Sequence, residues 1–274
     1  MLLRALRETR DGVLGLSYPA ACRVCDGAIE SWDDGVACGA CWTDPSISEI
    51  ISGEVCSKCG APARRPGFGD PSSNGRPESG ASENELRTCG LCGSLPFLAA
   101  RACGMYSGAL EANIHFLKTQ PHLCRRLRDL IRQTFTTHRA ALDSDLIIPA
   151  PLHHLRLRER GFNQAEIIGR VLSREFELPL DDGSLLRVRA TERHRAGLDS
   201  VDRVQSVEGA FQVARPRLIV GSSVLIVDDV MTTGSTIRTM ATALLEAGAR
   251  RIAVLTIARV AGGAVARLAH QDEA

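Results

Sequence analysis

The pattern of apolar positions changes character near residue 98. Before it, hydrophobic periodicity is weak. After it, short continuous apolar runs alternate with stripes at helical spacing. Residues 99–106 predict a short strand, and 110–118 a helix with Ile114 and Leu117 on one face. Residues 121–141 predict a second helix. Leu146-Ile-Ile-Pro-Ala-Pro151 has the composition of a buried strand and ends in prolines, which suits a strand running into a loop. Residues 163–176 place Ala165, Ile168, Val171 and Leu172 on one helical stripe. Residues 223–227 are a strongly apolar strand, 234–247 a helix ended by Gly248, and 251–258 another strand. Alternation of this kind predicts an α/β fold with a parallel sheet and crossover helices.

Two units follow: residues 1–98, rich in cysteine, and 99–274, an α/β domain. Inside the first, residues 61–88 are rich in Pro, Gly, Ser, Asn and Glu and are expected to be a disordered insertion. Over the 274 residues, the apolar fraction of 44% and charged fraction of 24% are those of a soluble globular protein. No apolar run reaches 18 residues, which excludes a membrane-spanning helix from the expectation. The first ten residues are broken by charge and do not read as a secretory signal, so a cytoplasmic protein is expected.

The net charge of +1 argues against an obligate nucleic-acid coat protein and leaves a basic groove open. Lysine occurs only at Lys58 and Lys118, so the positive charge is almost all arginine. Arginine is concentrated in Arg125-Arg126-Leu-Arg128 and in Arg156-Leu-Arg158-Glu-Arg160, where guanidinium forks would suit phosphate.

Eight of the ten cysteines form four Cys-x-x-Cys pairs: Cys22 with Cys25, Cys38 with Cys41, Cys56 with Cys59, and Cys89 with Cys92. Such turns each supply two thiolates to a tetrahedral ion, and four of them point to structural zinc rather than to disulfides. Pairing in sequence order predicts one ion at Cys22, Cys25, Cys38 and Cys41 and a second at Cys56, Cys59, Cys89 and Cys92, a double zinc ribbon. Cys103 and Cys124 read as structural thiols.

The segment Val224-Leu-Ile-Val-Asp-Asp-Val-Met-Thr-Thr-Gly-Ser-Thr236 carries the clearest chemistry. Ligands of open α/β sheets bind beyond the carboxyl ends of strands. Thr232, Thr233, Gly234, Ser235 and Thr236 would open a helix, whose N-terminal amides form an anion cradle. Asp228 and Asp229 beside that cradle would repel a bare phosphate, so hydroxyls or a divalent cation must lie between. A ribose 5-phosphate meets that demand. A second loop, after Ala150, carries Arg156, Arg158 and Arg160, whose guanidinium forks would suit phosphate. Gly161 would permit close backbone approach and Asn163 a helix cap.

The acid pair and its loop closely resemble the type I phosphoribosyltransferase signature. With the four cysteine pairs, Phe116-Leu-Lys118 and Arg160-Gly-Phe-Asn-Gln164, the chain resembles the ComF family. That resemblance implies a type I phosphoribosyltransferase-like fold, 5-phosphoribosyl 1-diphosphate with magnesium as ligand, and a link to DNA uptake in competence. It assigns the ribose to Asp228 and Asp229, the 5-phosphate to Thr232–Thr236 and the diphosphate to Arg156, Arg158 and Arg160, with Asn163 among the substrate-binding residues. Between the motifs this chain has Arg195 and Ser206 where the family usually has Gln and Asn, which bears on turnover more than on donor binding. Three functions stay open at this point: a transferase with an unidentified acceptor, a non-catalytic module for single-stranded DNA, a competence protein or regulation, and a purine or pyrimidine salvage enzyme.

Overall fold

The computed structural model describes residues 20–62, 89, 92–189 and 209–260. The first ten residues, the expected insertion beyond Pro62, and Arg195 and Ser206 lie outside them. Four parallel strands form the sheet: β1 (Ala99–Met105), β2 (Leu146–Pro149), β5 (Ser223–Met231) and β6 (Arg251–Arg259), in the spatial order β1-β6-β5-β2. A two-stranded antiparallel ribbon, β3 (Leu185–Arg187) with β4 (Phe211–Val213), stands apart from it.

Both faces of the sheet are covered, which is why its strands read as continuous apolar runs rather than alternating ones. Leu225, Val227, Ala253, Leu255 and Ile257 point into one core with helices α2 (Gly108–Thr119), α3 (Arg125–Thr137) and α5 (Gln164–Phe176). Val224, Ile226, Ile252 and Val254 point into the other, against α6 (Ser235–Glu246) and the ribbon. The α/β class, the parallel sheet and the flanking helices are as the apolar pattern predicts.

The cysteine region is sewn into this sheet. Cys22, Cys38, Cys41 and Trp42, the last two on the short helix α1 (Gly39–Thr43), belong to the first core. Cys56, Cys59 and Cys92 belong to the second. Between the two sets the chain runs along the free edge of β1. Ile51 N–H donates to Cys103 O at 3.0 Å, Met105 N–H to Glu49 O at 2.8 Å, and Ala100 N–H to Lys58 O at 2.6 Å. An edge strand that would otherwise offer unpaired amides is thereby closed. Gly60 has φ +67°, and a Cβ there would come within 2.5 Å of Ala100 O, so only glycine allows the approach. Arg125 and Arg126, which read as phosphate forks, instead bind Asp33 at 3.1 Å and Asp34 at 2.6 Å and fasten α3 to the first cysteine set.

Candidate anion and metal sites

All four strands point their carboxyl ends the same way. β2 stops at Pro149, level with Val227, while β5 runs on through Asp228 and Asp229 to Met231, paired there with β6 alone. The acid pair thus sits on strand rather than in loop, in the notch left where β2 ends. Ala150 N–H makes one last bond to Val227 O at 2.8 Å before the chain turns away.

The two carboxylates are held differently. Asp229 is buried; its Oδ1 accepts from Val230 N–H at 2.9 Å and its Oδ2 from Gln164 Nε2 at 3.5 Å. Asp228 Oδ1 accepts from Asp229 N–H at 2.8 Å, and the residue keeps part of its surface open although it lies deep in the notch. Desolvation, then the neighbouring Asp229 charge, push the Asp228 carboxyl well above the usual carboxylate range, against the pull of the Asp229 amide and of Lys118.

After β5 comes the expected hydroxyl-rich turn. Gly234 adopts φ +80° and ψ 4° as the residue before α6, a left-handed conformation that disfavours side chains. Thr233 Oγ1 lies 3.0 Å from Ser235 Oγ and accepts from Ser235 N–H at 3.3 Å, and both threonines of the turn are exposed. The first amides of α6 have no partners within the helix and, with the helix dipole, make this end attractive to an anion. Asp228, Asp229 and the turn therefore share one end of the sheet.

The second predicted loop is in fact helical in its middle: α4 (His154–Arg160) buries none of its residues. Helical geometry separates the three arginines, placing Arg156 and Arg160 on one face and Arg158 on the opposite one. Arg156 pairs with Glu159 at 3.4 Å. Arg160 Nη1 donates to Gln164 Oε1 at 2.5 Å, and Gln164 passes the link on to Asp229. Gly161 ends α4 with φ +80°; a Cβ there would meet nothing within 4 Å, so conformation and not close approach requires glycine. The Asn163 side chain is occupied at both ends: Oδ1 accepts from Ala165 N–H at 3.0 Å and Nδ2 donates to Ala150 O at 3.0 Å.

Three groups near the acids were not singled out as site residues from the sequence. Gln164 was visible only as part of a motif. Lys118, one of two lysines, ends α2 within electrostatic reach of Asp228. Arg187 on β3 lies over the Phe211 ring; burial lowers its pKa while the Asp228 carboxylate opposes the shift. A depression of about 270 Å³ lined by Arg170, Ser173, Arg174, Leu180 and Asp182 includes none of these residues.

The eight paired cysteines assemble as two sets of four, Cys22, Cys25, Cys38 and Cys41 and then Cys56, Cys59, Cys89 and Cys92, with the sulfurs of each set within 4.8 Å of one another. A tetrahedral ion with Zn–S bonds of about 2.3 Å requires S···S edges of about 3.8 Å. The observed pairs include Cys22–Cys41 at 3.8 Å, Cys25–Cys38 at 3.7 Å, Cys56–Cys92 at 3.6 Å and Cys59–Cys89 at 3.5 Å, far beyond a disulfide bond. Amides already point at sulfur: Cys38 N–H at Cys22 Sγ and Cys89 N–H at Cys56 Sγ, both at 3.2 Å. Both sets could hold zinc. Cys103 and Cys124 are buried and belong to neither set; burial pushes their thiols up to about 12 and about 11, as inert structural groups require.

The phosphoribosyl transferase domain family matches residues 161–273, a span that includes the acid pair and its turn but not α4. Competence protein F of Haemophilus influenzae is 37% identical over 138 residues, covering 50% of this chain and 59% of that protein. The DNA utilization protein YhgH of Salmonella typhimurium is 28% identical over 253 residues, covering 89% of this chain and 99% of that protein. A solved glutamine phosphoribosylpyrophosphate amidotransferase from B. subtilis aligns with TM-score 0.32 and 20% identity, over 48% of this chain and 25% of that one. The chain is similar to competence protein F and to YhgH, matches the phosphoribosyl transferase domain over residues 161–273, and has two four-cysteine clusters that fit a zinc ribbon.

Proposed function

We propose that the chain binds 5-phosphoribosyl 1-diphosphate with magnesium at the carboxyl edge of its sheet and transfers the phosphoribosyl group to a nitrogenous acceptor, as a cytoplasmic protein serving DNA uptake. The observation that carries this reading is the acid pair on β5 lying directly before the Gly234 turn and the N-terminus of α6. Thr232, Thr233, Gly234, Ser235 and Thr236 hold the 5-phosphate, through hydroxyls and the amides that open the helix. Asp228, the more open acid, accepts from a ribose hydroxyl, while Asp229 is set in place by Gln164. These adjacent carboxylates are hard oxygen donors of the kind magnesium takes, and the ion, when bound, neutralises charge on the diphosphate.

Transfer breaks the bond from the anomeric carbon to the diphosphate, which leaves with the electron pair. The acceptor nitrogen forms the new bond and releases its proton to water. Charge builds on the leaving diphosphate, so Arg160, and Arg156 on the same face of α4, supply electrostatic stabilisation there. Asn163 and Gln164 act by positioning. The zinc ions of both cysteine clusters are structural, since four thiolates leave no open coordination place.

A second reading keeps donor binding without turnover and makes the fold a sensor or a handler of single-stranded DNA. Arg195 and Ser206, standing where the family usually has Gln and Asn, favour it. Thermal-shift titration tests the binding common to both. With 5-phosphoribosyl 1-diphosphate and magnesium at 100 times Kd, stabilisation should approach about 2.7 kcal/mol. It should fall sharply when magnesium is chelated. No shift by the folded protein at millimolar ligand refutes both. Binding without diphosphate release across an acceptor panel selects the second reading.

A further inference from the structure

Arg101 and Arg259 are buried arginines with only 8% and 7% of their surfaces exposed. Arg101, on β1, donates from Nη1 to Ser57 O at 3.0 Å and Ala100 O at 2.7 Å. Arg259, at the end of β6, donates from Nη1 to Cys59 O, and the same nitrogen lies 3.9 Å from Cys59 Sγ. Among the described residues neither guanidinium has a carboxylate partner, and the buried Nε of each has no acceptor. A buried cation without a counter-charge is strongly unfavourable, so a fold that keeps two of them must supply negative charge nearby.

The group both arginines approach is the second cysteine cluster. Ser57 lies inside the Cys56–Cys59 turn, and Cys59 is itself a ligand candidate. A divalent ion held by four thiolates carries a net charge of −2, which two guanidinium groups balance. The first cluster is placed otherwise. Cys25 is exposed, so water can screen its charge, and among the described residues no arginine side chain bonds a sulfur or carbonyl of its two turns. Each cluster buries three of its four cysteines, but the fourth in the second cluster, Cys89, is only partly exposed, and less of the second cluster's charge is left to water.

We propose that Arg101 and Arg259 are the counter-ions of a metal-loaded Cys56–Cys59–Cys89–Cys92 centre, so that this centre, unlike the first, depends on buried arginine charge to retain its ion. The inference rests on the reading that both clusters hold zinc. It also ties the centre to the anion site. Met231 pairs in register with Arg259 and its carbonyl accepts from Val260 N–H at 2.9 Å, while Leu95 of the second cysteine region lies 3.8 Å from where a Cβ on Gly234 would stand.

The test uses the full chain and reads zinc, not activity. Metal per chain is measured on the native protein, then zinc release to a chromogenic chelator is followed for the native protein, Arg259→Gln, Arg101→Gln and Arg259→Lys, with Cys25→Ser assigning the kinetic phases. The native protein should hold two ions. Each Gln variant should release the second-cluster ion about 10–100-fold faster, the usual scale for losing a group that supports a ligand, with the first-cluster ion unchanged. Arg259→Lys, which keeps the charge, should release at close to the native rate. Both ions leaving the Gln variants at native rates overturns the proposal, and so does equal acceleration by Lys and Gln. Circular dichroism checks the fold, and an unfolded Arg259→Gln moves the comparison to Arg101→Gln against Arg101→Lys. Native protein without zinc refutes the metal reading itself, a result separable from the variants' behaviour.

Discussion

Asn163 separates a positioning role from a ligand contact. Its amide caps α5 through Ala165 N–H and holds the Ala150 carbonyl where β2 ends, two bonds of 3.0 Å made by a side chain that is 9% exposed. In Asn163→Ala the lost cap costs about 1 kcal/mol. The buried Ala150 carbonyl, left without its donor, adds about 1–3 kcal/mol. The sum, about 2–4 kcal/mol, corresponds to a melting point lower by roughly 4–16 °C for a domain of this size. Denaturant unfolding and a thermal melt measure it directly. Asn163→Ser keeps a capping oxygen and loses the bond to Ala150, so it should fall between native and Ala. If Asn163→Ala melts within about 2 °C of native while donor affinity collapses, the residue touches ligand and the positioning argument is wrong.

Two further outcomes follow from the acid notch and α4. Because desolvation and Asp229 raise the Asp228 carboxyl, ionised Asp228 destabilises the fold: the penalty is present above its raised pKa and disappears as pH falls toward the ordinary carboxyl value of about 4, where folded and unfolded states are both neutral. Asp228→Asn should therefore melt higher than native at neutral pH and converge with it at low pH; curves that coincide at every pH contradict this. Arg160, linked through Gln164 to Asp229, should matter more than Arg158 on the other face of α4. Arg160→Ala is expected to weaken donor binding about tenfold or more in calorimetry and Arg158→Ala less than threefold, and equal losses would mean both reach the diphosphate.

The legible parts of the fold are those whose signal is local. The strands β1, β2 and β6 agree with their apolar runs to within a residue or two, because burial on both faces forces continuous hydrophobicity. β5 runs four residues beyond its apolar run, since Asp228–Met231 keep pairing with β6 although an acid pair does not read as strand. α4 was hidden because it has seven residues and buries none, so it leaves no amphipathic stripe. α3 is shorter than its pattern, starting at Arg125 after Cys124 rather than at Pro121. The three-residue strands β3 and β4 are too short to carry a period.

The same distinction holds for the sites. A Cys-x-x-Cys turn encodes its own geometry, so both clusters could be grouped from spacing alone. Nothing local to Arg101 or Arg259 foretells their meeting with the Cys56–Cys59 turn, at Ser57 for Arg101 and at Cys59 for Arg259, the latter across 200 residues. Nor does spacing tell that each cluster joins the core on a different face of the sheet. The Gln164–Asp229 link spans 65 residues and exists only once α5 lies against β5.

Calorimetric titration of the zinc-loaded protein with 5-phosphoribosyl 1-diphosphate and magnesium, beside the Asp228→Asn/Asp229→Asn double variant, tests the central claim most directly. Asparagine keeps the Oδ1 acceptors that bind the Asp229 and Val230 amides, so the notch should persist while its charge is removed. Saturable binding by the native protein that vanishes in a folded double variant is the predicted result. Equal binding by both proteins, or none by the native one, would contradict the assignment of Asp228 and Asp229 to the donor.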